Sequence, residues 1–420
     1  MPLGGRGWQT PRVIVRALTL AAVLAAAGAS AAQAQTPAPP APATPEPAPV
    51  PVPEPDPEPA LQLSTPKLVA SAIRVPVKVS NATPNAWVAL EVGGERVGRT
   101  QADASGVAQT AIPAGTRASR LRVRAVGYQR SPSPTKTIRM RDISLAAFGD
   151  ANFGDGVGDV MRTMGARYPW SGVAATLKRA DIAFGNLECA ISTQGSPVPK
   201  EFNFRGSPAD LRSVVPYAGL DVLNLANNHV GDYGTAALVD TVRYVKETGV
   251  LPVGAGTLEQ ATRPAVVTRL GLRVAFVGFS DVVPAGFAVG PGHPGTATAD
   301  PATIRSVVAA ARRQADVVVA TFHWGIERDT HESSRQRELA RIAASAGATA
   351  VIGAHPHVLQ PIEGLGERRI VAYSLGNFVW AAGSALSSKT GILELDLSAR
   401  GVESWRLRRA TIVNTRPQLD

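Results

Sequence analysis

Six histidines occur in the 420 residues, and four of them stand at the ends of apolar runs. DVLNLA leads into Asn227-Asn228-His229, DVVVATF into His323, and TAVIGA into His355-Pro356-His357. Two further runs end on acids: ISLAAFG on Asp150 and DIAFGNL on Glu188. Imidazole suits zinc and iron, whereas carboxylate and carbonyl oxygen suit harder ions such as manganese. A mixed nitrogen and oxygen set without thiolate fits a catalytic metal site better than a closed structural one. Two such cations, roughly 3.5–4 Å apart, activate a water and clamp a phosphate. The pair needs a bridging carboxylate, and Glu188 is the natural candidate. Each piece alone has an ordinary reading: His355-x-His357 as a loop pair, Asn227-Asn228 as a turn, Asp150 as a helix cap, His323 as a hydrogen-bonded core histidine. Their joint placement is what points to chemistry.

The elements that must position these residues follow from periodicity. Seven apolar, strand-like runs occupy residues 143–378: ISLAAFG, DIAFGNLE, DVLNLANNH, RVAFVGFS, DVVVATFHWG, TAVIGAHPH and RIVAYSLGNF. Between them, GVAATLKRA, TAALVDTVRYVKETG, ATIRSVVAAARRQ and SSRQRELARIAASAG have the pattern of amphipathic helices. Strand–helix alternation predicts an α/β domain. In open α/β sheets, ligands bind beyond the carboxyl ends of the strands. Five strands would therefore deliver Asp, Glu, Asn and His to one rim.

FGDANFGD (148–155), FGNLE (184–188), LANNHVGDYG (225–234), HWGIE (323–327), GAHPHVLQ (353–360) and YSLGNFVW (373–380) resemble the bacterial capsule-synthesis CapA family. That family is associated with poly-γ-glutamate synthesis and is similar to the calcineurin-like metallophosphoesterases. The resemblance covers about 143–415. It implies a layered β-sandwich flanked by helices and two divalent ions (manganese, iron or zinc). Asp150 and His357 would hold one ion and Asn228, His323 and His355 the other, with Glu188 bridging in place of the superfamily's usual aspartate. His229 would sit beside the phosphate as general acid or electrostatic stabiliser. Arg205 in FNFRGSP would meet an anionic substrate, and Glu327 and Asn377 would orient ligands. The superfamily's first motif is Asp-x-His. Here Asn152 takes the third position, as a weak ligand or none.

The remaining chain reads differently. Residues 1–34 combine Arg6, Arg12 and Arg16, an apolar stretch over 17–29 and an Ala-Gln-Ala cleavage pattern, which is a secretory signal. The address is periplasmic or extracellular, with an uncleaved membrane anchor as the variant reading. Residues 37–59 hold 12 of the 34 prolines, so 35–62 reads as an extended spacer. Residues 61–140 carry 12 Lys+Arg against 3 Asp+Glu. IRVPVKVS, WVALEVGG and LRVRAVGY alternate apolar and polar residues, so 63–141 reads as a small basic β-sandwich of immunoglobulin-like type, ahead of the domain at 142–416. A single cysteine, Cys189, excludes an intramolecular disulfide and a Cys-rich zinc site.

These observations give two functional expectations. One is a secreted metal-dependent phosphoesterase-like hydrolase of the cell envelope, with amide hydrolysis on a glutamate polymer open to the same metals. The other is a non-catalytic factor that grips an anionic envelope polymer and supports its export. Capsule-synthesis membrane proteins are expected partners. Nucleic acid is not, because the basic strands lack interleaved aromatics.

Overall fold

The computed structural model describes residues 59–115, 120–127 and 133–420. The expected signal, and the spacer up to residue 58, lie outside the described residues.

From Ile143 onward the fold is a mixed α/β arrangement of two large sheets. Ile143–Ala151 is apolar almost throughout, as a strand covered on both faces must be. It pairs in parallel with Ile182–Leu187 and antiparallel with Lys389–Ser398. Val222–Asn224 and Leu251–Val253 extend the first sheet on one side, and Gly401–Val413 and Arg416–Leu419 on the other. Asn377–Val379 joins the end of Ile143–Ala151. The second sheet runs Ala265–Arg269, Leu272–Ser280, Val317–His323, Ala350–Ala354, Ile370–Ala372 and Ile362–Gly364.

The sheets share one core. Leu145, Ala147 and Phe184 of the first lie in the same cluster as Phe276, Val319 and Ile352 of the second, and the Phe184 and Phe276 rings stack 5.3 Å apart. Helices cover the outer faces. Leu211 and Val214 of Pro208–Ala218, with Leu238 and Val242 of Gly234–Glu247, pack with Ala183 and Leu223 of the first sheet. Ile304 and Val308 of Pro301–Gln314, with Leu339 and Ala343 of Ser334–Ala346, pack with Val318 and Val351 of the second.

Local chemistry sets the helix limits. Asp300 accepts from the amides of Ala302 and Thr303, and Pro301 opens the helix where its missing donor costs nothing. Ser333 and Gln336 form a reciprocal capping box, and Gly347 ends that helix at φ +116°. The four expected helices are present. Asp155–Met164, Pro208–Ala218 and Leu258–Thr262 were not expected.

Ahead of this body, two small sheets enclose an apolar layer. One is Gln62–Ser64, Arg74–Ser80 and Ala108–Pro113; the other is Leu68–Ala70, Thr135–Arg141, Arg120–Val126, Trp87–Val92 and Glu95–Gln101. They abut the larger sheets directly. The Ala70 amide donates to Leu270 O at 2.9 Å, and the Ala399 amide donates to Ser71 O at 3.2 Å.

Asp181 ties this junction. Its carboxylate accepts both Arg141 Nη atoms at 2.5 and 2.6 Å, and the Ser144 amide and hydroxyl at 2.9 and 3.0 Å. Burial alone would raise its pKa, but the Arg141 and Ser144 hydrogen bonds outweigh burial and hold it below the usual carboxylate value. A depressed folded pKa means stability that is present above the unfolded value, about 3.9, and lost as pH falls through the lower folded value. Asp181→Asn is therefore expected to cost roughly 1–3 kcal/mol near neutrality. The gap from wild type should close as acid protonates the native carboxyl. Urea midpoints on both sides of that window check it, and a gap independent of pH would refute the assignment.

Candidate metal centre

The carboxyl ends of five strands meet at one rim. Asp150 closes Ile143–Ala151, Glu188 follows Ile182–Leu187, Asn227 to His229 follow Val222–Asn224, His323 ends Val317–His323, and His355 and His357 follow Ala350–Ala354. Close backbone approach permits the meeting. A Cβ on Gly149 would lie 1.9 Å from Gly376 O, the same carbonyl that receives the Asp150 amide at 2.9 Å. His355 and His357 sit at φ +98° and +58°, where non-glycine residues are uncommon. Such strain gathers at functional sites.

Ring nitrogens and oxygens crowd together at the centre. His323 Nε2 stands 2.7 Å from Asn228 Oδ1, 3.1 Å from His355 Nδ1 and 3.2 Å from Glu188 Oε1. His357 Nδ1 is 2.9 Å from Asn377 Oδ1 and 3.3 Å from Asp150 Oδ2, and its Nε2 is 3.9 Å from Glu188 Oε1. Donor atoms of Asp150, Glu188 and His323 fall within 4.8 Å of one another, and so do those of Glu188, His355 and His357. Glu188 belongs to both groups.

Glu188 supplies the test of fit. It is buried, and neither carboxylate oxygen has a hydrogen-bond partner among the described residues. A buried, unpaired carboxylate costs several kcal/mol unless a cation meets it. Burial, and then the neighbouring Asp150, hold its carboxyl well above the usual range. Burial would raise Asp150 too, but the hydrogen bond and charge of His357 and the Asn186 amide outweigh it and lower the carboxyl. The imidazoles behave as ligands would. Burial, then neighbouring histidine charge, hold His323 well below its ordinary value and bring His355 down to about 4. Both rings therefore keep free lone pairs at neutral pH. For His357, burial is outweighed by Asp150, and the ring is raised. The donor set fits divalent cations.

His229 lies beside the cluster. Its Nδ1 is 2.7 Å from Asp232 Oδ2, its ring packs 4.3 Å from Phe204, and its amide donates to Asn227 Oδ1 at 3.0 Å. Asn377 is buried and also donates to Ser387 O, so it fixes the His357 ring. Asn152 is buried, and its Oδ1 accepts the Gly154 amide at 2.7 Å. Arg205 is exposed and stacks 4.1 Å over Tyr233; none of its hydrogen bonds among the described residues reaches the cluster. Glu327 is exposed and acts on Glu188 and His357 by charge alone.

Four supporting residues escaped the sequence reading. Asn186 Nδ2 donates to Asp150 Oδ1 at 2.8 Å, and its Oδ1 accepts from Asn224 and Asn227 at 2.8 and 3.2 Å. Lys200 Nζ donates to Asn228 O and Asp232 Oδ1, both at 2.7 Å. Asn186 and Asp232 lie inside quoted motifs, two residues before Glu188 and three after His229, so their signal was present. Lys200 sits in an irregular loop and gave none.

The molecule is thus a layered α/β protein with a candidate metal centre at its strand ends. Residues 144–382 match the family described as Bacterial capsule synthesis protein PGA_cap, and the chain belongs to that family. It is 32% identical to the PGA biosynthesis protein CapA of Bacillus subtilis (strain 168), over 66% of this chain and 73% of that protein. It is 31% identical to the Capsule biosynthesis protein CapA of Bacillus anthracis, over 64% of this chain and 67% of that protein. A Probable polyglutamine synthesis accessory protein of Mycobacterium tuberculosis (strain ATCC 25618 / H37Rv) is 31% identical over 51% of this chain and 60% of its own length.

Proposed function

We infer that this chain is an exported, metal-dependent hydrolase with a metallophosphoesterase-like layered fold, serving capsule or poly-γ-glutamate synthesis. The single observation that carries the reading is Glu188, a buried carboxylate amid three imidazoles with neither oxygen hydrogen-bonded among the described residues. Asp150 and His357 would hold one divalent ion and Asn228, His323 and His355 a second, with Glu188 between them. When bound, the ions supply Lewis-acid activation of water and charge stabilisation at the scissile group. Asn377 keeps the His357 ring turned to the site, and Asn186 does the same for Asp150. His229, held through Nδ1 by Asp232, moves a proton at Nε2 on the leaving-group side. Phe204 and Trp380, in edge contact at 5.4 Å, pack against the rings of His229 and His357.

The test is hydrolysis of a chromogenic phosphate ester by purified protein with added manganese. Depolymerisation of poly-γ-glutamate, read by size exclusion, serves as a parallel arm for amide chemistry. His323→Ala should abolish metal-dependent turnover, and His229→Ala should lower it by roughly 10²–10⁴-fold. Activity that persists without metal in both variants would refute the site.

A further inference from the structure

The five-stranded small sheet gathers six of the basic segment's twelve Lys+Arg onto one face. Along Arg120–Val126, burial alternates strictly: Leu121, Val123 and Ala125 are buried, and Arg120, Arg122 and Arg124 are exposed. Side chains two apart on a strand share a face, and the register extends that face across the sheet. Arg139 lies opposite Arg120, Glu91 opposite Arg124, Ala89 opposite both Val126 and Arg99, and Arg96 opposite Glu91. Six arginines therefore share the outer surface. Glu91 is the one carboxylate that the register places there among the described residues, and it pairs with Arg124 at 3.3 Å. Trp87 joins them, 42% exposed, with the Arg99 guanidinium 4.5 Å over its ring. A shallow cavity of about 200 Å³, lined by Trp87, Ala89, Arg96, Arg99 and Val126, opens on the same face. The whole surface lies outside the residues matched to the family.

We propose that this arginine face is a docking site for a linear polycarboxylate of the poly-γ-glutamate type, separate from the metal centre. The choice of polymer rests on the capsule reading above; the choice of surface rests on charge alone. Guanidinium groups pair carboxylates bidentately and keep their charge at every physiological pH. Alternate residues on a strand repeat at about 6.6–6.8 Å. A γ-linked glutamate adds five backbone bonds per repeat, on the order of 6 Å when extended. An extended chain turns successive carboxylates to opposite sides, so alternate ones, on the order of 12 Å apart, can meet Arg120 and Arg124, with Arg139 beside the first. Membrane-binding surfaces insert apolar side chains, whereas the exposed aromatic here is already covered by Arg99. A polymer held on this face would be kept beside the enzyme body between encounters with the site.

The test uses the full chain, stripped of metal with chelator, so that binding is read independently of any hydrolysis. Poly-γ-glutamate is titrated calorimetrically at low and at physiological salt. Binding should weaken as salt rises. The variant Arg120→Ser/Arg122→Ser/Arg139→Ser should bind roughly tenfold or more weakly, with unchanged melting temperature. A control with equal charge loss elsewhere, Arg305→Ser/Arg313→Ser/Arg341→Ser, should bind as wild type does. Equal loss in both variants, or none in the first, overturns the surface. Tighter binding of polyglycerol phosphate or of phosphatidylglycerol vesicles through the same arginines overturns the polymer. A protein that hydrolyses nothing can still pass, so failure of the enzymatic reading stays distinguishable.

Discussion

Replacing Glu188 with Gln is expected to abolish the response to metal while leaving the metal-free protein at least as stable as wild type. The carboxylate is buried, has no hydrogen-bond donor among the described residues, and faces Asp150. Without a cation its charge is a burden: its folded pKa lies well above the ordinary range, so the native state holds a proton that the unfolded chain releases. Glu188's own contribution to the stability of the metal-free protein is then greatest below the unfolded value, near 4.3, and falls as pH rises through the raised folded value. Gln carries no charge and removes that slope. A bound divalent ion reverses the balance, because the same carboxylate becomes its anchor. At metal concentrations about a thousandfold above Kd, wild type should gain roughly 4 kcal/mol. E188Q should gain little, since the remaining imidazoles and Asp150 lose their common partner. Thermal melts across pH, with chelator and with manganese, measure both effects. A manganese-induced rise in E188Q equal to that of wild type would remove Glu188 from the centre.

How much of this was visible beforehand depends on the length scale of the signal. The strands that end in His323 and lead into His355 were legible because a sheet covered on both faces needs uninterrupted apolar runs, and a polar residue after such a run stands out. The helix Pro208–Ala218 was harder. Pro216 near its end contradicts the helical pattern, although Ser207 and Pro208 carry a proper start signal. In Asp155–Met164, Gly156 and Gly158 lower the propensity that the sequence advertises. The candidate ligands themselves are residue types that announce chemistry. Their supports are not, because an asparagine such as Asn186 or a lysine such as Lys200 has many ordinary uses. Only the fold reveals that Asn186 joins Asp150 to Asn224 and Asn227. Arg205 is a residue type that suits an anion, and its guanidinium rests on Tyr233.

Asp232 and Lys200 should shift the titration of His229 in opposite directions, and that pair of signs separates an electrostatic role from a merely structural one. Burial lowers the His229 pKa below its ordinary value, the Asp232 hydrogen bond and charge work against that, and Lys200 adds to it. Asp232 is fully buried and uses both oxygens: Oδ2 meets His229 Nδ1 and the Phe204 amide, each at 2.7 Å, and Oδ1 meets Lys200 Nζ. In Asp232→Asn, one side-chain oxygen can keep the first two bonds, but the new amide group confronts the Lys200 ammonium, donor against donor. His229 then loses the charge that supports its protonated form, and its titration moves to lower pH. Lys200→Met removes a positive neighbour, so the titration moves to higher pH. Ring-nitrogen NMR reads both without any substrate. Turnover should follow in Asp232→Asn, with kcat down roughly 10²–10³-fold. KM and bound metal should be little changed, because Asp232 is not among the candidate ligands. Shifts of the same sign in both variants, or none in either, would mean that the Asp232–Lys200 pair only props the loop and does not tune the histidine.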